Sequence, residues 1–128
     1  MAQAYAYRYN GEQRTKQDKC KTDMPLDKPR IWLDFNEFCD TDTEGAPVYL
    51  FSQADIVNDS ENHDVELYEG MKVSVFDEDF DGSGKPDALL ADGIITQNYL
   101  EQYPRIKWLI KLILKNGDEY LYRMSDLE

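Results

Sequence analysis

Residues 79–87, Asp-Phe-Asp-Gly-Ser-Gly-Lys-Pro-Asp, carry oxygen-bearing side chains at alternate positions around a glycine turn. Calcium takes roughly six to eight oxygen ligands, and a short loop supplies them by this kind of spacing. Asp79, Asp81 and Ser83 would stand at positions one, three and five of such a loop. Gly84 would give the sharp turn, Lys85 would offer its carbonyl at position seven, and Asp87 would close the loop at nine. A second stretch spaces Asp40, Asp42 and Glu44 before Gly45 in the same manner. If both turns lie at one end of the fold, they could share one ion. The same residue types also build any long turn, and carboxylates beside strands block edge-to-edge aggregation, so a solvated acidic turn is the competing reading. Calcium is the only cofactor these residues suggest.

The 79–87 spacing resembles the D-x-D-x-D-G-x-x-D calcium loops of integrin-type repeats, with Ser83 in place of the third carboxylate. An EF-hand fits less well. Its closing bidentate Glu would fall on Leu90 counting from Asp79, or on Ala88 counting from Asp77. The Val-Phe-Asp-Glu-Asp of residues 75–79 also resembles the third calcium loop of C2 domains, which would make Asp77 and Asp79 ligands, but that family's partner loop is absent.

Little else in the chain suggests chemistry. The single histidine, His63, sits in a polar loop without a nucleophile motif beside it. Cys20 and Cys39 are isolated from each other and read as free thiols rather than a disulfide framework or a zinc pair. Nucleotide-binding, hydrolase and paired zinc motifs are missing, and the expectation is a protein that is not an enzyme.

Charge is the clearest global signal. Residues 1–33 hold seven Lys/Arg against four Asp/Glu, whereas residues 34–92 hold two against seventeen. A segment with a net charge of −15 repels phosphates, so nucleic acid is disfavoured as a partner and a basic protein or peptide is favoured. No run is long and apolar enough for a membrane span, and the first residues lack the basic and apolar regions of a secretory signal. Those features predict a cytoplasmic protein without membrane contact.

Hydrophobic patterning predicts a mainly β fold in which six or seven short antiparallel strands follow a flexible polar N-terminal arm over 1–29. The single β-rich domain spans 30–128. In the arm, Tyr5, Tyr7 and Tyr9 alternate as on one side of a strand. Residues 30–38 read as a strand with Ile31, Leu33 and Phe35 on one face, and residues 46–57 as the next. Residues 104–115 fit a helix or a strand, and Asn116-Gly117, a strong hairpin signal, favours the strand. That hairpin would set Lys115 opposite Asp118.

Residues 69–127 then follow an order that resembles SH3-like barrels of the Tudor and KOW kind. It runs from a glycine turn and strand through an acidic loop to an Ala-x-Gly-x-Ile strand, a tryptophan-bearing strand and a tight hairpin. The resemblance implies a small bent barrel that binds proteins or peptides. No aromatic cage for methylated residues can be matched.

Lys107, Lys111 and Lys115 with Leu109, Ile113, Tyr120 and Tyr122 would share one strand face, and Trp108 lies within the same strand. Such a basic and aromatic strip suits protein recognition. Three readings follow: a small acidic protein-interaction module, an acidic inhibitor of the immunity or nucleic-acid-mimic type, or a calcium-binding β module.

Overall fold

A computed structural model describes the backbone of residues 16–17 and all of residues 22–127. Its strands are β1 Lys16–Gln17, β2 Ile31–Trp32, β3 Phe38–Thr41, β4 Pro47–Ser52 and β5 Ile56–Asn58. They continue with β6 Asp64–Glu66, β7 Lys72–Asp77, β8 Leu89–Gln97, β9 Trp108–Leu112 and β10 Tyr122–Arg123, and a 3-10 helix, Met124–Leu127, follows. The described residues are mainly β, with no α-helix and no helix long and apolar enough to cross a membrane.

The large sheet has the order β2-β7-β8-β9-β4-β3, with β10 also on β8, while β1, β5 and β6 make a smaller sheet. Strand β8 is the spine. Along one side it pairs with β7 from Leu89 to Ile94, and along the other with β9 from Gly93 to Gln97 and then with β10 at Leu89 and Leu90. Close approach of β9 requires Gly93, because a Cβ there would lie 2.6 Å from Ile110 Cγ1 and 2.9 Å from the Lys111 carbonyl oxygen. Val73, Val75, Phe76, Leu90, Ile95, Ile110 and Leu112 form the centre of the apolar core.

The sheet is curled. Six strands spaced about 4.8 Å apart would separate flat edges by about 24 Å. The edge strands β2 and β3 are joined by the short segment from Trp32 to Phe38, which reaches about 20 Å at full extension and is shortened by a turn (Glu37 N–H to Asp34 O, 3.0 Å). A ring contact lies at the seam, where Phe35 packs edge-on against Tyr49 at 5.5 Å, while Trp32 Nε1–H donates to Asp77 of the neighbouring β7 at 2.9 Å.

Several sequence expectations change. Among the described residues no pairing joins β2 to β3 and the sheet is open there, and β2 runs parallel to β7, whereas an all-antiparallel set is expected from the sequence. The strand expected over 30–38 breaks at the Asp34–Glu37 turn, and the one over 46–57 breaks at Ser52–Ala54, where Ser52 Oγ binds both the Ala54 N–H and carbonyl. Residues 108–112 are a strand. The following turn is centred on Gly117-Asp118, one residue later than expected, so Asn116 and not Lys115 begins it and faces Glu119. Gly117 at φ 53° supplies the positive φ that this two-residue turn requires. Met24 and Leu26, ahead of Pro29, pack on the core. The Tyr5–Tyr9 strand and Cys20 lie outside the described residues.

Candidate functional site

The two acidic stretches with calcium-loop spacing bond to their own backbone, in a geometry that a third loop shares. In Asp81–Lys85 the Asp81 carboxylate accepts the Ser83 N–H (2.9 Å), the Ser83 hydroxyl (2.8 Å) and the Lys85 N–H (3.0 Å). Asp42–Ala46 repeats it, with Asp42 accepting the Glu44 and Ala46 N–H groups at 2.9 and 2.8 Å. In Asp59–His63 the acceptor is Asp59 and the donors are the Glu61 and His63 N–H groups at 2.9 and 3.0 Å. The fourth residue of each loop, Gly84, Gly45 or Asn62, has a positive φ. Each is therefore a hairpin loop in which a leading Asp replaces missing backbone acceptors and a left-handed fourth residue lets the chain return. His63, the only histidine, lies on the surface of one such loop with Nδ1 3.2 Å from Asp59.

These bonds hold the loop carboxylates below the usual carboxylate range. For Asp81 the Ser83 hydroxyl is the chief cause, and for Asp42 it is the Ala46 N–H. For Asp59, burial opposes the shift and the loop N–H groups prevail.

The other predicted ligands point elsewhere. Asp87 is buried at 7 % exposure and accepts the Ser125 N–H and hydroxyl, both at 2.9 Å, capping the terminal 3-10 helix. Asp79 pairs with Arg123 at 2.9 Å, and the Phe80 N–H and that guanidinium lower its pKa. The Lys85 carbonyl accepts the Asp81 N–H instead of facing a loop centre. Both turns sit at one end of the sheet, but β8 extends four residues, about 13 Å, from the level of Gly93 to Leu89, and the 77–89 loop stands beyond the Asp42 turn by that length. Among the described residues no group of three or more His, Cys, Asp or Glu side chains is placed to hold a metal. The loop holds β10 and the 3-10 helix through Arg123 and Ser125.

The expected basic and aromatic strip does not assemble. Trp108 and Tyr122 are buried, Lys107 pairs with Asp55 at 2.7 Å, and Lys111 pairs with Asp42 at 3.3 Å. Lys115 lies 4.7 Å from the centre of the Tyr122 ring, and Tyr120 packs against the core margin.

Beneath β10 lies a polar cluster that sequence reasoning missed. Arg30, 2 % exposed, donates from Nε and Nη2 to Asp27 (2.8 and 3.0 Å), from Nη2 to the Tyr122 hydroxyl (3.1 Å) and from Nη1 to the Val75 carbonyl (3.2 Å). Tyr122 in turn donates to Asp92 at 2.8 Å, as does Ser74. Its members come from four separate segments, so no local motif announces it. The Arg30 hydrogen bond lowers the Asp27 carboxyl. Burial pushes the Asp92 carboxyl up, but the Ser74 and Tyr122 hydroxyls and the Arg30 charge outweigh it and the net shift is downward.

The two edges of the large sheet differ. On the β2 side, Ile31 bridges to Asp59, and Ser60 exchanges bonds with Arg30 (Ser60 N–H to Arg30 O at 2.7 Å and Arg30 N–H to Ser60 Oγ at 3.0 Å). On the β3 side no strand stands outside Phe38–Thr41 among the described residues. Glu37 O accepts the Leu50 N–H and Asp42 N–H donates to Ala46 O, so both face β4. Antiparallel ladders alternate, which turns the peptide groups of Phe38 and Thr41 outward, and Thr41 faces Pro47, which has no N–H to give.

A bulge between Phe38 and Asp40 sets these two residues on opposite faces. Phe38 follows its partner Tyr49 and packs edge-on against it at 5.8 Å, while Asp40 follows Val48. Tyr99 reaches Asp40 from the loop after β8, its hydroxyl donating at 2.7 Å, so residues 98–107 run across β9 and β4. Asn98 shapes that loop, donating to the Tyr103 and Ile106 carbonyls and accepting the Leu100 N–H. Phe38 and Tyr99 stay 53 % and 54 % exposed.

Two nearby groups register the negative field at this edge. Burial and then the charges of Asp40 and Glu37 push the Cys39 thiol up to about 11. Burial, the Asp40 bond and the Asp42 charge push the Tyr99 phenol up to about 12. No known protein-family model matches the chain, and no curated protein or solved structure matches it.

Proposed function

We propose that this chain is a non-enzymatic, acidic protein-recognition module that takes a basic partner at the β3 edge. One observation carries the reading: a strand edge, open among the described residues, bearing two exposed aromatics, Phe38 and Tyr99, among Glu37, Asp40 and Glu44, with Lys111 answering Asp42 nearby. Exposed aromatics within a one-sign field suit recognition of an oppositely charged protein, and nucleic acid and anionic membrane surfaces are repelled by that field. The resemblance of residues 69–127 to SH3-like modules points the same way, with β7, β8 and β9 as the consecutive antiparallel strands of that pattern. A cytoplasmic setting belongs to the same reading.

The acidic-inhibitor reading is a special case, favoured by the −15 charge of residues 34–92. There the partner would be a basic toxin or nuclease whose activity the complex blocks. The test is affinity capture from extract with the native chain and with the Glu37→Lys, Glu44→Lys double variant. Proteins held by the native chain and lost by the double variant support the reading, and stoichiometric inhibition by the chain assigns the inhibitor case. Equal capture by both chains defeats it.

A further inference from the structure

We infer that the β3 edge is a strand-acceptor site for an extended, amphipathic basic segment of a partner protein. The inference rests on the recognition reading above and adds how the partner is held: by backbone pairing to Phe38 and Thr41, with basic side chains on one face and apolar ones on the other.

Three features lead there. The outward N–H and C=O groups of Phe38 and Thr41 are the functional groups a further strand pairs with. Across β3 the bulge sorts the side chains by face. Phe38 lies on the face of the core ring Tyr49, and Asp40 lies on the face of Val48, where Glu37 also falls by alternation. A strand docked alongside alternates in the same way, so one set of its side chains meets the Phe38 ring and the other meets carboxylates beside the Tyr99 phenol. An alternating apolar and basic sequence fits both.

The third feature is selectivity. An open edge invites pairing with copies of the same chain, and proteins commonly guard edges with charge. Here the guard is negative on a chain of net charge −12, so a second copy is repelled while a basic strand is attracted. With four residues in β3 the paired length is about 13 Å, which favours reversible rather than permanent binding.

The probe is a synthetic peptide of about eight residues alternating Lys and Val, titrated by fluorescence anisotropy against the full chain. A second peptide has the same sequence with N-methyl groups on the backbone nitrogens of alternate residues, which removes its strand donors and leaves its charge. The site requires that the first peptide bind and that N-methylation weaken it at least tenfold. Thr41→Pro, which removes an outward N–H and none of the ladder, should also weaken binding at least tenfold with the unfolding midpoint unchanged.

Equal binding of the two peptides would mean charge attraction alone, overturning strand acceptance while leaving the basic-partner reading intact. Absence of binding by either peptide overturns the inference, and the extract capture then decides the broader reading separately. A concentration-dependent dimer by sedimentation equilibrium, dissociated by the Lys-Val peptide, would assign the edge to a second copy and also overturn it.

Discussion

Replacing Arg30 by Met removes a cation that the fold has enclosed. Methionine has a similar length and leaves little void, so the loss is chiefly electrostatic and in hydrogen bonds. The native guanidinium satisfies the Asp27 carboxylate, the Tyr122 hydroxyl and the Val75 carbonyl, and lies 3.9 Å from Asp92. Removing one partner of a buried ionic network costs about 3–5 kcal/mol, and the lower end applies here because Asp27 keeps 29 % of its side chain in water. At about 3–5 °C per kcal/mol for a chain of this size, the midpoint should fall by roughly 10 °C.

The sign with pH follows from the carboxylates. Asp27 and Asp92 are held below their usual range in the folded state. Their contribution is therefore complete above the unfolded carboxylate value, near pH 4, and is lost as pH falls through the lowered values. Once protonated they no longer need the cation, so the gap between native and Arg30→Met should shrink from pH 7 to pH 3. Urea unfolding at both pH values measures it. A cost below about 1 kcal/mol at pH 7, or a gap that does not change with pH, would refute a stabilising ionic cluster.

Other consequences can be checked on the same preparations. Gly93→Ala drives a methyl into Ile110 and the Lys111 carbonyl and should cost about 1–3 kcal/mol in urea unfolding, with Ile110→Ala in the same chain recovering part of it. Asp87→Ala uncaps the terminal 3-10 helix and should cost about 1–3 kcal/mol by the same measurement, whereas calcium at millimolar concentration should leave the native midpoint where EDTA leaves it. Asn62→Gly should be neutral or slightly stabilising and Asn62→Ala destabilising by about 1 kcal/mol, since φ is 69° there. In a Cys20→Ser background, iodoacetamide at pH 8 should modify Cys39 about a hundredfold more slowly than a free thiol, because its pKa of about 11 leaves little thiolate.

Much of the sheet is legible in sequence because its strands carry their own signals. Lys72–Asp77 and Leu89–Gln97 are short, β-rich runs between turns, and the positive-φ residues Gly45, Gly84 and Gly117 stand in the turns. What is not legible is non-local. Parallel pairing of β2 on β7 joins residues 44 apart, as Ile31 with Val75, and nothing in the Ile31-Trp32 pair announces it. Arg30 looks like a surface arginine beside Pro29 until Asp92 and Tyr122 arrive from far along the chain.

The acidic loops show a different limit. Asp at alternate positions before glycine is common to calcium loops and to hairpin loops that bond their own backbone, and only the direction of the Asp42, Asp59 and Asp81 carboxylates separates the two. A pattern of Asp-x-x-Gly/Asn-x recurring between strands was the available signal. Trp108 and Tyr122 mislead for the opposite reason: alternation places them on a strand but cannot show that β9 is covered on both faces and that Tyr122 points inward.

Amide hydrogen exchange at Thr41, followed with and without the Lys-Val peptide, tests the central claim most directly. In the free chain the outward Thr41 N–H should exchange quickly, while the Asp42 N–H, bonded to Ala46 at 2.9 Å, should be protected. Saturating peptide should slow Thr41 at least tenfold and leave Asp42 unchanged. Peptide binding with no change at Thr41 would contradict recognition through the β3 backbone.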